Sequence, residues 1–323
     1  MKTVAAVVLL SAAATAVQAA FTETLNGVTY TVTHLAADGS ELPVEFGPAI
    51  DATSRGAQRE QRRRARAAAA AAAADHEKRT QTFSNWCGAA NLSPPGGGAW
   101  SRVSGAWTVP EISLRANQSD DDQPSLVQWI GIDGDGCQSG GLIQGGSGSQ
   151  VCKHPFLPRH SCKEKKKKPN ADKYTPQIDS NGEQENYAWF EFVPAPLRTF
   201  TMNVGAGDQM SGLVTADSSR SGNVTINNVS TGQSMHFYFS DGGAGLCGTS
   251  AEWILEDLTS LPSRNLEPFA DFPDTHFTDC RASTSAGQSA GPGTNNVNIA
   301  QNGRALCTGQ ISGSSVYVHS TSH

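Results

Sequence analysis

An antiparallel all-β fold, sandwich or barrel, is predicted for this chain from three observations. Glycine (33) and proline (16) are plentiful in the 323 residues, as turn-rich β proteins require. Short alternating runs recur at 125–132, 186–193, 223–227, 234–239 and 251–257, separated by Gly, Asn, Asp and Ser clusters. No long stretch keeps a helical period. Ser230-Thr231-Gly232-Gln233 lies between two runs and reads as a hairpin loop. There is no internal repeat. A content of 7% aromatic and 17% charged residues excludes a coiled coil or a highly charged disordered chain.

The N-terminus reads as a secretory signal over residues 1–19. Lys2 supplies its charge, residues 5–16 an apolar stretch, and Val17-Gln18-Ala19 a small-residue cleavage site. Secretion places the chain in a disulfide-permissive compartment. Residues 20–79 end in Arg62, Arg63, Arg64 and Arg66, eight alanines and Lys78-Arg79. This stretch does not read as a folded domain. It is expected to be a propeptide cut at the dibasic pair, and 80–323 the working domain. All-β units of 200–250 residues often stand as one domain, although the general length prior of roughly 150 residues allows two. No other apolar run is long enough to cross a membrane. The net charge of −6 argues against a nucleic-acid partner.

Charge is unevenly spread. Every lysine after Thr80 falls within 151–177, with two of the seven cysteines and four of the prolines. The rest of 80–323 holds 20 acids against seven arginines, a net of −13. So few cations suit acidic surroundings, where carboxylates lose charge. The basic stretch is expected to be an insertion, and a retained intron is its sharper reading. Val151-Cys152 can be encoded as a splice donor, Ala171-Asp172 as a branch point and Gln177 as an acceptor, and 27 codons keep the frame.

The cysteines are 87, 137, 152, 162, 247, 280 and 307, with no CxxC, and there is no HExxH. No metal or other cofactor is therefore expected. His236 in an apolar run and His276 in a Pro/Asp-rich loop are expected to be structural, which leaves a serine triad without support. Sequons at Asn91, Asn117, Asn223 and Asn228 are candidate glycan sites.

Alternate residues of a strand share a face. Trp129 then goes with Asp133, Trp189 with Glu191, Glu252 with Glu256, and Leu142 with Gln144. Phe190 and Phe192, like Trp253 and Leu255, point the other way. Several strands thus offer one apolar face and one face of indoles with carboxylates. Exposed indoles tend to mark binding, so that face is expected to line a polar, aromatic cleft.

These blocks resemble the fungal glutamic peptidases, the eqolisins. The resemblance rests on Asn85-Trp86, on Trp129-Ile130-Gly131-Ile132-Asp133-Gly134 with Cys137, and on Leu142-Ile143-Gln144-Gly145-Gly146. It continues through Trp189-Phe190-Glu191-Phe192, Ser230-Thr231-Gly232-Gln233, CGTSAEWILED at 247–257 and Pro268-Phe269-Ala270-Asp271-Phe272. The blocks come in family order from Asn85 to Ala282, with a weaker tail to Val318. The resemblance implies a two-sheet antiparallel sandwich of the concanavalin or jelly-roll type, its active site on the concave face of one sheet. It implies a catalytic pair at Gln144 and Glu256. Trp86, Trp129, Asp133, Trp189, Glu191 and Glu252 would bind substrate or support the pair. It also implies a Cys137–Cys247 disulfide, and a Cys280–Cys307 pair is a further expectation. Cys87 replaces a small residue usual after the Asn-Trp pair. Two departures stand out. Gly140-Gly141-Leu142-Ile143 is looser than the family's approach to the glutamine, and the insertion lies just beyond Gln144.

The implied function is a monomeric, secreted acid endopeptidase acting on proteins or peptides and held by its own propeptide. Amide hydrolysis needs an activated water, a donor for the oxyanion and a proton for the leaving nitrogen. A carboxylate supplies the first and last, and a primary amide the second. An aspartic peptidase is disfavoured, because no Asp-Thr-Gly or Asp-Ser-Gly occurs. Two other classes compete. A glycoside hydrolase would use Glu191 and Glu256 as its carboxyl pair. A lectin-like module would keep the fold without the chemistry.

Overall fold

The computed structural model describes residues 21–44, 46–49, 52–53, 79–152, 177–178, 184–241, 244–260 and 265–321. The signal segment, the basic and alanine-rich stretch and nearly all of the 151–177 insertion lie outside them.

The chain is strand after strand. β1 (Phe21–Leu25) and β2 (Val28–Leu35) are joined by Asn26-Gly27. Both turn residues have positive φ, 51° and 79°, as a two-residue hairpin turn of the primed type requires. β3 (Glu41–Leu42), β4 (Phe46–Ala49) and β5 (Ala52–Thr53) follow, then β6 (Arg79–Phe83), β7 (Trp86–Asn91) and β8 (Trp100–Thr108). β9 (Ser125–Asp133), β10 (Leu142–Val151), β11 (Gln177–Ile178) and β12 (Gln184–Phe192) form the middle. β13 (Arg198–Phe200), β14 (Gln209–Ala216), β15 (Gly222–Asn228), β16 (Gln233–Asp241), β17 (Ala251–Glu256) and β18 (Thr259–Ser260) come next. β19 (Thr275–Thr284), β20 (Ser289–Ala290), β21 (Asn295–Gln301), β22 (Arg304–Ser312) and β23 (Ser315–Ser320) close the chain.

One layer runs β4-β13-β12-β10-β9-β17-β7-β21. β22 and β23 turn the ribbon over to β19. The second layer continues β19-β8-β14-β15-β16-β2-β1. Among the described strand-to-strand pairings only β6 with β21 is parallel, beside an isolated parallel bridge from Ser125 to Phe269. Alternation decides what lies between the layers. Ile130, Ile132, Ile143, Phe190, Phe192, Trp253 and Leu255 of the first meet Val103, Trp107, Met210, Val214, Val224, Ile226, Phe237 and Phe239 of the second. Phe190 stacks on Phe237 with centroids 3.9 Å apart. Elsewhere Gly105 of β8 lets the layers close on Trp253, because a Cβ there would meet that ring at 2.9 Å. The result is the antiparallel sandwich expected.

Three expectations need correction. Residues 21–49, read as unfolded, form strands on both layers: β2 continues the second through β16, and β4 extends the first through β13. Their alternation (Val28, Tyr30 and Val32 inside) is the strand pattern that the neighbouring low-complexity stretch masks. Cys280 does not pair with Cys307. Cys307 bonds Cys87, because β21 seats β22 against β7, and Cys280 is buried as a free thiol. The unusual Cys87 is thereby explained. Cys137–Cys247 is the second bridge, and Cys152 is also disulfide-bonded, to a partner outside the described residues. The two described bridges span 220 and 110 residues, each worth about 5 kcal/mol of unfolded-chain entropy on a loop-closure account. His276 lies in β19, stacked on Tyr317, rather than in a loop.

The sequons also divide. Asn117 is exposed. Asn91 and Asn228 are buried, and their amide nitrogens are spent inside the fold, Asn91 on Gly291 O and Asn228 on Asn203 O and Asp208. Asn223 is half-buried and donates to Asp217 and Thr215. A glycan at Asn91 or Asn228 would break such bonds.

A non-reducing peptide map should recover Cys87–Cys307 and Cys137–Cys247, with Cys280 alkylated only after unfolding. A Cys280–Cys307 peptide would contradict this register.

Candidate active site

Five neighbouring strands, β7, β17, β9, β10 and β12, turn the indole and carboxylate residues away from the core. Trp86, Trp129, Leu142, Trp189 and Ile254 form a second apolar cluster there. The face is closed rather than an open cleft: Gln144, Glu252 and Glu256 are fully buried, and so are Trp86, Trp129 and Trp189. Val193, Leu197, Leu258 and Val297 join that cluster, and the Trp86 and Trp129 rings meet edge to face at 5.0 Å.

Glu256 ends β17. Its Oε1 accepts a hydrogen bond from Asn85 Nδ2 at 2.9 Å, and its Oε2 accepts from Trp129 Nε1 at 2.8 Å. Neutral N–H donors on both oxygens stabilise the charged form of a buried carboxylate. Asn85 is fixed in turn, because Asp257 N donates to its carbonyl at 2.9 Å.

Gln144 sits on β10 directly opposite Glu191 of β12. Its Nε2 donates to Glu191 Oε2 at 2.6 Å, a bond that fixes the amide's orientation. On its other side Gln144 faces Gly131 of β9, and Gly131 faces Glu252 of β17. A Cβ on Gly131 would meet the Trp129 ring at 2.9 Å and Gln144 Cβ at 3.1 Å, so glycine keeps that row clear.

Glu252 differs from Glu256. Its Oε1 accepts from Ser250 Oγ at 2.8 Å and Asp135 N at 3.1 Å. Its Oε2 has no partner among the described residues. Burial, reinforced by the charges of Asp135 and Asp133, pushes this carboxyl well above the usual range, against those hydrogen bonds. Two glutamates on one strand face are thus kept apart, one holding its proton and the other held by donors. Asp257 behaves like Glu252: burial raises it well above the carboxylate range, although Gln301 Nε2 donates to it at 2.7 Å.

Asp133 does not meet the pair. It ends β9 at φ +70° and collects the N–H groups of Cys247, Gly248 and Thr249 at 2.6, 2.9 and 2.7 Å, plus the Thr249 hydroxyl at 2.9 Å. With the Cys137–Cys247 bridge it ties down the approach to β17. Asp133, Cys137 and Cys247 also lie close enough to suggest a metal cluster, but both sulfurs are spent in the bridge. The indole N–H groups of Trp86 and Trp189 are buried without a partner among the described residues, a costly state.

Sequence reasoning missed the role of Asn85. The Asn-Trp pair was visible, but no periodicity says that its amide meets a strand 171 residues later. The Asp257–Gln301 bond, across 44 residues, was equally hidden.

The sequence pattern of the Peptidase A4 family matches residues 84–153 and 174–320. The chain belongs to the peptidase A4 family. The unmatched residues 154–173 fall inside the basic insertion. This eqolisin is 31% identical to aspergillopepsin-2 of Aspergillus niger over 252 residues, 73% of this chain and 77% of the relative. It is 31% identical to scytalidopepsin B of Scytalidium lignicola over 219 residues, 66% of this chain and 68% of that one. A crystal structure of scytalido-glutamic peptidase with a transition state analog inhibitor superposes with a TM-score of 0.57 at 27% identity. That match covers 74% of this chain and 98% of the other. The peptidase A4 chain is accordingly a glutamic endopeptidase.

The raised carboxyls set a pH trend in stability. Glu252 and Asp257 bind protons more tightly folded than unfolded, so their contribution to stability is complete below about pH 4, where unfolded carboxyls are protonated too. It falls as pH rises toward the folded values, by up to about 1.4 kcal/mol per pH unit per group. Denaturant titrations from pH 3 to 7 should show this decline, made shallower by Glu252→Gln. A stability difference between wild type and Glu252→Gln that does not shrink over that range would contradict it.

Proposed function

We propose that this enzyme is a secreted acid endopeptidase in which Glu256 and Gln144 act as the catalytic pair. The observation that carries the reading is the Glu256 carboxylate, buried with each oxygen on a neutral N–H donor. Such a base remains ionised, and able to activate water, in acid that would silence an ordinary carboxylate. Glu256 takes a proton from the attacking water and returns it to the leaving amine.

Gln144 supplies the complementary half. One hydrogen of its Nε2 is directed at Glu191. The other serves the developing oxyanion, and the amide carbonyl orients the water. Glu191 is thus a positioning residue. Its commitment to Gln144 weighs against its acting as a glycosidase carboxylate. The buried N–H groups of Trp86 and Trp189 suit carbonyls of an extended peptide, since a bound chain supplies the acceptors they lack.

Residues 20–79 act as the propeptide. In the uncut chain the pair has no solvent exposure. β5 pairs with β18 just after Asp257, and β6 leads into Asn85. The segment therefore holds on beside Glu256 through β5 and runs on into β6, and the enzyme is inactive until it is processed.

Hydrolysis of an acid-denatured protein at about pH 2–4, with pepstatin present, tests this in processed enzyme. Wild type should cleave it. Glu256→Gln should lose essentially all activity, and Gln144→Ala about 10²–10³ in kcat. Retained cleavage by Glu256→Gln would overturn the assignment.

A further inference from the structure

The propeptide segment makes two kinds of contact with the enzyme. β2 pairs with β16 from Ser234↔Leu35 to Asp241↔Thr29 and so continues the second layer as any interior strand would. Val28, Tyr30 and Val32 are all but wholly buried and belong to the main core. Tyr30 sits in an aromatic group with centroids 5.1 Å from Phe190 and 6.0 Å from Phe239. Phe190 belongs to β12, the strand that carries Glu191.

The second kind is polar and lies beside the first. Arg198 of β13 binds Glu23 of β1 at 3.0 Å, and its guanidinium lies 5.0 Å from the centroid of the Phe46 ring. The Tyr30 hydroxyl donates to the same Glu23 carboxylate. Backbone pairing at β4–β13 and β5–β18 extends the attachment to the first layer.

We propose that cleavage at Lys78-Arg79 does not release residues 21–53, which remain on the enzyme as a second, non-covalent chain completing the β16 edge. This rests on the propeptide reading above. The cut breaks a peptide bond that takes part in none of these contacts, so the strand ladder, the core side chains and the ion pair all survive it. Strand addition with buried side chains is a sufficient binding mode for a separate peptide. Loss of the segment would bare the N–H and C=O groups of β16 above Phe237 and Phe239, a sticky edge that folded proteins keep covered. Processing and segment release are then separate events, and the fully opened enzyme requires both.

The test uses the full secreted chain, with Glu256→Gln to prevent self-digestion and a site-specific protease sequence placed directly before Thr80. After complete cutting at pH 7, gel filtration with mass spectrometry follows the two pieces. The N-terminal fragment should co-elute one to one with 80–323. Tyr30→Ala with Val32→Ala should lower the co-eluting fraction by about tenfold or more. Glu23→Gln, which leaves the core intact, should lower it by about threefold. A fragment that elutes alone, or retention indifferent to all these changes, overturns the proposal. The N-terminal mass of enzyme from its own host separately reports whether natural cleavage falls at Arg79. Cleavage elsewhere would sink the processing reading without touching the docking result.

Discussion

Glu256 has each oxygen on a neutral N–H, and the two donors come from segments distant in the chain. Asn85 lies between β6 and β7, Trp129 lies in the middle of β9, and Glu256 ends β17. A buried carboxylate is tolerated only when its oxygens are well supplied with partners. Loss of either donor leaves the carboxylate under-compensated, at about 1.5–3 kcal/mol for a bond to a charged group. Much of the first layer serves to keep these three strands adjacent and in register. β17 lies between β7 and β9, the central position from which both donors can reach one residue.

The remaining polar groups on this face divide the work. Asp133 and the Cys137–Cys247 bridge anchor the loop that delivers β17. Glu191 orients Gln144. Burial favours the neutral forms of Glu252 and Asp257, which limits the negative charge gathered on this face. Outside 151–177, residues 80–323 have few cations to offer. The site is accordingly assembled from backbone N–H groups, indoles and amides, and an acidic surface that neutralises at low pH does not disturb it.

How much of this was legible in the chain varies by distance. Strand alternation placed Trp129, Trp189, Glu252 and Glu256 on one face, because side-chain period is a local property. The blocks around Gln144 and Glu256 pointed to the right family for the same reason: each is contiguous. Asn85 as a donor, the Asp257–Gln301 bond and the Cys87–Cys307 bridge were not legible, since each depends on strand register across 44 to 220 residues. The N-terminal strands were misjudged because an alanine and arginine tract dominates the composition of 20–79. The alternation Val28, Tyr30, Val32 within it carries the fold. Burial of the whole indole face was also unforeseen. Periodicity tells which residues share a face, not what covers it.

The central claim is that neutral donors hold Glu256 ionised in acid, and the acid limb of the kcat/KM profile tests it most directly. Processed wild type and Trp129→Phe would be compared from about pH 1.5 to 6, with Asn85→Ala as a second removal of one donor. The acid limb should move upward by about one to two pH units in each variant, the equivalent of one lost bond to a charged group. Limbs that coincide with wild type while kcat falls would show that these contacts only support the fold and that another group sets the acid limit.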